Sequence, residues 1–253
     1  MAMHRRQVLR ALAGLTLCPI CAQSGLAADV PHWSYEGAEG PNHWGELDPA
    51  SRVCLAGGEQ SPLDVRGSVK AQLPLLGIAW AKRADTIVNN GHTIQLNFAA
   101  GGTLTASPAR YTLVQFHFHR PSEHLVDGKA FAMEAHFVHQ NAAGGLGVIG
   151  VLMAAGTSNP VFRKAVETMP ASPGAPVAAD LGIDPNALLP KRRSYYRYEG
   201  SLTTPPCSET VDWMLLTDPI QVAEAEIAAF AKLYAMNARP VQKANRRFVL
   251  HSA

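Results

Sequence analysis

The chain has 253 residues, enough for one large domain with a sizeable core or two small ones. Its 22 Lys and Arg nearly balance 20 Asp and Glu, for a formal net charge of +2. Without a long basic run, that balance argues against nucleic acid or anionic membranes as partners.

Residues 1–28 read as an export signal peptide. His4, Arg5, Arg6 and Arg10 come with no acid, Ala11 to Ala22 is apolar, and Ser24 to Ala28 is small and uncharged. The apolar stretch is too short to be a good membrane span, so no stable membrane anchor is expected. The Arg5-Arg6 pair fits twin-arginine export, and the general export route accommodates it equally well. Cleavage is expected after Ala27 or Ala28, leaving residues 29–253 as one mature domain, periplasmic or secreted. Loss of three arginines leaves 19 bases against 20 acids, a net of −1. Cys18 and Cys21 depart with the leader. Cys54 and Cys207 remain, an even pair in an oxidising compartment, and a disulfide is preferred to two buried thiols.

The mature chain shows no repeat. It consists mostly of short alternating runs separated by turn signals, the pattern of a β-rich fold. Thr86-Ile87-Val88 and Thr93 to Phe98 flank Asn89-Asn90-Gly91 and predict a hairpin with a tight turn. Next comes Gln115-Phe116-His117-Phe118-His119. On a strand, residues i and i+2 share a face, so His117 and His119 stand together while Phe116 and Phe118 face the core. Ser122-Glu123-His124 follows, then Met133-Glu134-Ala135-His136-Phe137-Val138, where Glu134 and His136 alternate in the same way. A single histidine among strand hydrophobes is usually a satisfied, half-buried residue. Two at i and i+2, with a third two residues after an acid, favour a metal. If the two strands are neighbours, three imidazoles converge, and three histidines with an open position are the ligands of a catalytic zinc. Glu134 can take the second ring N–H of one of the three, but the sequence does not say which.

Gly147 to Met153 lacks polar alternation and predicts a fully buried strand. Asn159 and Pro160 open a helix that buries Phe162, Ala165, Val166 and Met169 before Pro170 stops it. Pro170 to Ala179 reads as a surface loop and Lys191-Arg192-Arg193 as a solvated one. Val211 to Leu216 is another apolar strand. Ile227, Phe230 and Tyr234 give one apolar stripe on a second helix.

Together these segments resemble the α-class carbonic anhydrases, in their bacterial, exported form. The resemblance runs from about His32 to Arg246. It is carried by Gln60-Ser61-Pro62, Asn89-Asn90-Gly91-His92, the Gln115–His119 run, Ser122-Glu123-His124, Phe131, Glu134-Ala135-His136-Phe137-Val138, Ser201-Leu202-Thr203-Thr204-Pro205-Pro206, and Asn237 with Arg239-Pro240. Arg120 stands where vertebrate cytosolic members carry tryptophan, and no longer insertion separates His119 from Glu123.

The resemblance implies a β-rich α+β fold: one domain around a large, twisted, mostly antiparallel sheet with a few peripheral helices. It implies Zn2+ held by His117, His119 and His136, and reversible hydration of CO2 to bicarbonate and a proton by attack of zinc-bound hydroxide. This family is the standard instance of water brought from a pKa of ~15.7 to ~7 by zinc. Thr203 would pass its hydroxyl proton to Glu123 and so orient the nucleophile, a role that a turn residue before two prolines does not otherwise suggest. His92 would export the proton, although a histidine after a hairpin turn is more commonly plain surface. Val138, Val148, Leu202, Val211 and Trp213, simply core by pattern, would form an apolar wall for CO2, with Thr204 beside bicarbonate. Gln115, His124 and Glu134 would support the ligands, and the Pro205-Pro206 bond would be cis. The substrate would be a small molecule, with a monomer or homodimer as the working unit. A non-catalytic zinc-binding or interaction protein on this fold is the competing expectation, but silent relatives typically lack a ligand histidine, and here all three are present. A zinc esterase is the other, but no ester-recognition element is visible.

Overall fold

In the computed structural model, residues 32–81, 83–179 and 182–252 are described. The expected leader and its cleavage site lie outside them. Among the described residues no helix is long and apolar enough to cross a membrane.

A thirteen-stranded sheet organises the described chain from Trp33 onward. Its middle runs Ile94–Asn97, Ala109–His119, Met133–Gln140, Leu146–Ala155, Val211–Leu216 and Tyr195–Gly200, in that spatial order. Pairing is mostly antiparallel, but Leu146–Ala155 runs parallel to Val211–Leu216. The sheet is covered on both faces at its centre, which is why its middle strands carry long apolar runs rather than alternation. One face packs Phe116, Phe118, Met133, Ala135, Phe137, Ile149, Val151 and Met214 into the main core. The other carries a smaller cluster that includes Val148, Leu152, Val211, Trp213 and Leu215.

The hairpin forms between Thr86–Asn89 and Ile94–Asn97, with Asn89 opposite Ile94. Its turn is wider than the sequence suggests, spanning four residues from Asn90 to Thr93. Asn90 Oδ1 closes it by accepting from the backbone N–H groups of His92 and Thr93, both at 2.9 Å. Gly91 adopts φ 89°, a left-handed conformation that disfavours a side chain.

Both helices form. Asn159 Oδ1 accepts from the N–H groups of Val161 and Phe162 and caps Pro160–Thr168, which buries Phe162 and Ala165. Val166 and Met169 are only partly buried at its edge. The second helix is Glu224–Ala231, so Tyr234 lies beyond its end but still packs on the same core. The 170–179 segment is mostly exposed, yet Val177–Ala178 adds a short strand against Thr86–Ile87. The loop reading thus misses an edge strand of two residues, too short for any periodicity to reveal. Lys191, Arg192 and Arg193 are exposed as expected, and Arg192 pairs bidentately with Asp218.

Candidate metal centre

The two histidine-bearing strands are neighbours, and their register sets His117 directly opposite His136 and His119 opposite Glu134. A register shift between Leu113 and Gln115 aims them. Before it, Tyr111 and Leu113 face the core; after it, Phe116 and Phe118 do. The extra residue, Val114, thus reverses the parity of the strand and turns Gln115, His117 and His119 to the opposite face. One nitrogen from each of His117, His119 and His136 lies within 4.8 Å of the others.

Each imidazole is held by its other nitrogen, and these bonds determine which nitrogen is left. His119 Nδ1 donates to the Asn237 carbonyl at 2.8 Å, and a carbonyl only accepts, so Nε2 carries the lone pair. His117 Nδ1 lies 2.8 Å from Gln115 Oε1, which leaves Nε2 by the same reasoning. His136 reverses the pattern, with Nε2 donating to Glu134 Oε1 at 2.8 Å and Nδ1 left. Glu134 therefore serves His136, the choice that the sequence leaves open. Its carboxylate also accepts the backbone N–H and ring Nδ1 of His124, at 2.8 and 2.7 Å. His124 braces Glu134 and reaches the Tyr198 hydroxyl at 2.6 Å. Gly150, opposite His136, makes room here: a Cβ there would lie 2.8 Å from Leu215 Cδ1 and 3.1 Å from Glu134 Oε1.

Electrostatics agree with this arrangement. Burial holds the pKa of His117 well below the usual imidazole range, lowers that of His119 to about 4, and depresses that of His136. All three are therefore neutral at pH 7, as metal binding requires. Burial raises Glu134, but the adjacent His124 and His136 more than offset it and hold the carboxyl well below its usual value. Buried His119 Nε2 has no hydrogen-bond partner among the described residues. A buried nitrogen lone pair left over in this way fits a cation with borderline-soft ligand preferences, and the three-nitrogen donor set fits zinc.

Glu123 lies beside the three histidines, with Oε1 at 3.5 Å from His119 Nδ1 and Oε2 at 3.8 Å from His136 Nδ1. Its Oε1 accepts the Arg239 backbone N–H at 2.8 Å. Burial raises its pKa to about 7, while His136, the Arg239 amide and the Thr203 hydroxyl act to lower it. Glu123 Oε2 is buried and makes no hydrogen bond among the described residues.

Val138, Val148, Leu202, Val211 and Trp213 fall into one apolar cluster, and the Trp213 ring lies 4.9 Å from that of His136. Thr204 is half-buried one residue past Thr203. His92 lies on the turn whose main chain is tied to the strand of His117 and His119: Asn237 Nδ2 donates to both the His92 and Phe118 carbonyls, each at 2.9 Å. Its ring stacks flat on Trp33 at 3.6 Å. Cys54 and Cys207 are joined in a disulfide beside buried Trp44. The Pro205–Pro206 peptide is cis.

Sequence reasoning gives no role to Asn237, Arg239, Tyr198 or Trp33. Asn237 lies 118 positions from the histidine it orients, and no local spacing links the two.

The family model described as eukaryotic-type carbonic anhydrase matches residues 39–253. A carbonic anhydrase from Pectobacterium carotovorum is 42% identical over 229 residues, covering 90% of this chain and 94% of that protein. One from a Nostoc strain is 38% identical, covering 99% and 98% respectively. Among solved structures, the α-carbonic anhydrase of Thermovibrio ammonificans, in complex with the inhibitor sulfanilamide, matches with a TM-score of 0.85 at 43% identity. It covers 87% of this chain and 99% of that one. By its histidine face, its fold and these likenesses, the chain belongs to the α-class carbonic anhydrases, lyases that interconvert CO2 and bicarbonate.

Proposed function

We propose that this chain hydrates CO2 with zinc held by His117 Nε2, His119 Nε2 and His136 Nδ1. The observation that carries this reading is the set of three neutral imidazoles with converging lone pairs, one of them buried without a partner among the described residues. Bound zinc supplies Lewis acidity that makes water a nucleophile near neutral pH. Gln115, the Asn237 carbonyl and Glu134 keep the rings turned and the lone pairs forward.

Thr203 Oγ1 donates its proton to the Glu123 carboxylate, so that its oxygen is left to accept the proton of the attacking water. The Arg239 amide holds Glu123 as an acceptor. This arrangement aims the nucleophile before reaction rather than during it. Val138, Val148, Leu202, Val211 and Trp213 hold CO2, a molecule with little to hydrogen-bond, and Thr204 receives bicarbonate. The experiment is CO2 hydration with and without a chelator: activity lost with the metal and regained with added zinc supports the reading, and activity indifferent to the chelator rejects it.

His92 is the proton exporter in this scheme. Imidazole titrates near neutral pH, so it takes a proton through solvent and gives it to buffer. Replacing His92 with alanine is expected to slow turnover at low buffer concentration by about a hundredfold, with partial rescue by added imidazole. Exchange between CO2 and bicarbonate should stay near wild type. Equal loss of both, without rescue, would mark His92 as structural.

The disulfide is assigned a second role. It closes a loop of 153 positions, worth about 4–5 kcal/mol on chain-entropy grounds, and Cys207 ends the segment that presents Thr203. Cys207→Ser is expected to lower the melting temperature and to reduce hydration while the protein is still folded. Full activity in the reduced, folded protein would leave only a stabilising role. The bond also supports an exported setting, periplasmic or secreted, since such bonds persist in oxidising compartments.

A further inference from the structure

The loop that presents Thr203 has no regular structure of its own. Leu202 N–H donates to the Ser208 carbonyl at 3.1 Å and Cys207 N–H to the Thr204 carbonyl at 2.9 Å. Beyond these, the Trp213 indole N–H donates to the Ser201 carbonyl at 3.0 Å, the disulfide ties Cys207 to Cys54, and two consecutive residues far away in the chain add further support. Ser61 and Ser201 hydrogen-bond reciprocally, each hydroxyl accepting the other's backbone N–H, at 2.9 and 3.0 Å. Gln60 holds the far end: its Nε2 donates to the Cys207 carbonyl at 3.1 Å.

What orients Gln60 is Glu209. The second Nε2 hydrogen goes to Glu209 Oε1 at 2.8 Å, and the same oxygen accepts the Glu59 backbone N–H at 2.6 Å. Both partners of the amide nitrogen only accept, so its direction is determined, and Gln60 Oε1 is left buried without a partner among the described residues. A glycine admits the carboxylate. Gly57 has an ordinary φ of −67°, so backbone conformation does not require it. A Cβ there would lie 2.2 Å from Glu209 Oε1 and 2.5 Å from Gln60 Nε2. The Gln60–Ser61 pair also touches the other half of the proton-orienting couple. Arg239 Nη1 donates to the Ser61 carbonyl at 2.8 Å, and the Arg239 amide holds Glu123.

We propose that Glu209 is a positioning residue for CO2 hydration, acting through Gln60 to hold Thr203 in line with Glu123. The proposal rests on the role given to Thr203 above. Without the Glu209 carboxylate, the Gln60 amide loses one of its two anchors and releases the Cys207 carbonyl. The disulfide still tethers the loop, so the fold survives while Thr203 shifts.

The test compares Glu209→Ala, Glu209→Gln, Gly57→Ala and Thr203→Ala as zinc-loaded enzymes. It reads kcat/KM for CO2 hydration, buffer-limited turnover and melting temperature. Glu209→Ala is expected to lose about tenfold in kcat/KM, a fraction of what a 1 Å misplacement can cost, while buffer-limited turnover holds. Glu209→Gln, which keeps a carbonyl acceptor, should recover most of it. Gly57→Ala, whose added Cβ would meet Glu209 Oε1, Gln60 Nε2 and the Val53 carbonyl, should lose at least as much kcat/KM and also lower the melting temperature. Loss in Thr203→Ala with wild-type kcat/KM in both Glu209→Ala and Gly57→Ala overturns the clamp alone. An equal fall of kcat/KM and buffer-limited turnover, or no recovery in Glu209→Gln, overturns it as well. Wild-type kcat/KM in Thr203→Ala removes the Thr203 role itself and the clamp with it.

Discussion

Replacing His119 with alanine is expected to reduce CO2 hydration to the uncatalysed background and to release zinc. His119 is 1% exposed, its Nδ1 is committed to the Asn237 carbonyl, and its Nε2 has no partner in the described protein. A two-histidine site is one ligand short of the three that a catalytic zinc keeps. His136→Ala should do the same and also leave the Glu134 carboxylate without one of its donors. A graded control separates ligands from their supports. Removing a group that only orients a ligand costs about 10–100-fold in metal affinity, so Glu134→Gln should weaken zinc less than either histidine variant. Zinc content after dialysis and the hydration rate are the two readouts. An alanine variant at either histidine that keeps tight zinc and wild-type rate contradicts the ligand assignment.

Thr203→Ala is expected to retain zinc but to lose about 10²-fold in kcat/KM, equivalent to roughly 2.7 kcal/mol of transition-state stabilisation. The variant removes both the acceptor for the nucleophile's proton and the donor to Glu123. Thr203→Ser keeps the hydroxyl and should keep most of the rate. If the two residues act as a couple, Thr203→Ala and Glu123→Ala combined should cost little more than the worse of the two alone. Additive losses would mean that Thr203 and Glu123 act separately. A wild-type kcat/KM in Thr203→Ala would remove Thr203 from the chemistry.

The histidine face was legible because a strand's period of two is strict: His117, His119, Glu134 and His136 announce their faces before any fold is known. The two buried strands and both helices were legible for the same kind of reason, from an apolar run or a capped stripe. What turned the histidines towards one another was not. The extra residue at Val114 leaves no mark in composition, yet without it the strand's faces would be exchanged. Nor could the sequence say which histidine Glu134 serves, because that depends on ring orientation rather than spacing. The partners supplied from far along the chain, the Asn237 carbonyl and the Arg239 amide, are main-chain groups. Such groups carry no side-chain signal, and only the folded chain brings them to His119 and Glu123.

The central question is whether these three imidazoles hold the metal that hydrates CO2. The direct measurement is a zinc titration of chelator-stripped protein, with bound metal and hydration rate followed together. Activity should rise in proportion to zinc and saturate at one equivalent per chain. His119→Ala should neither bind that equivalent tightly nor recover activity. Full hydration by metal-free protein, or one tight equivalent of zinc with no hydration, would overturn the assignment.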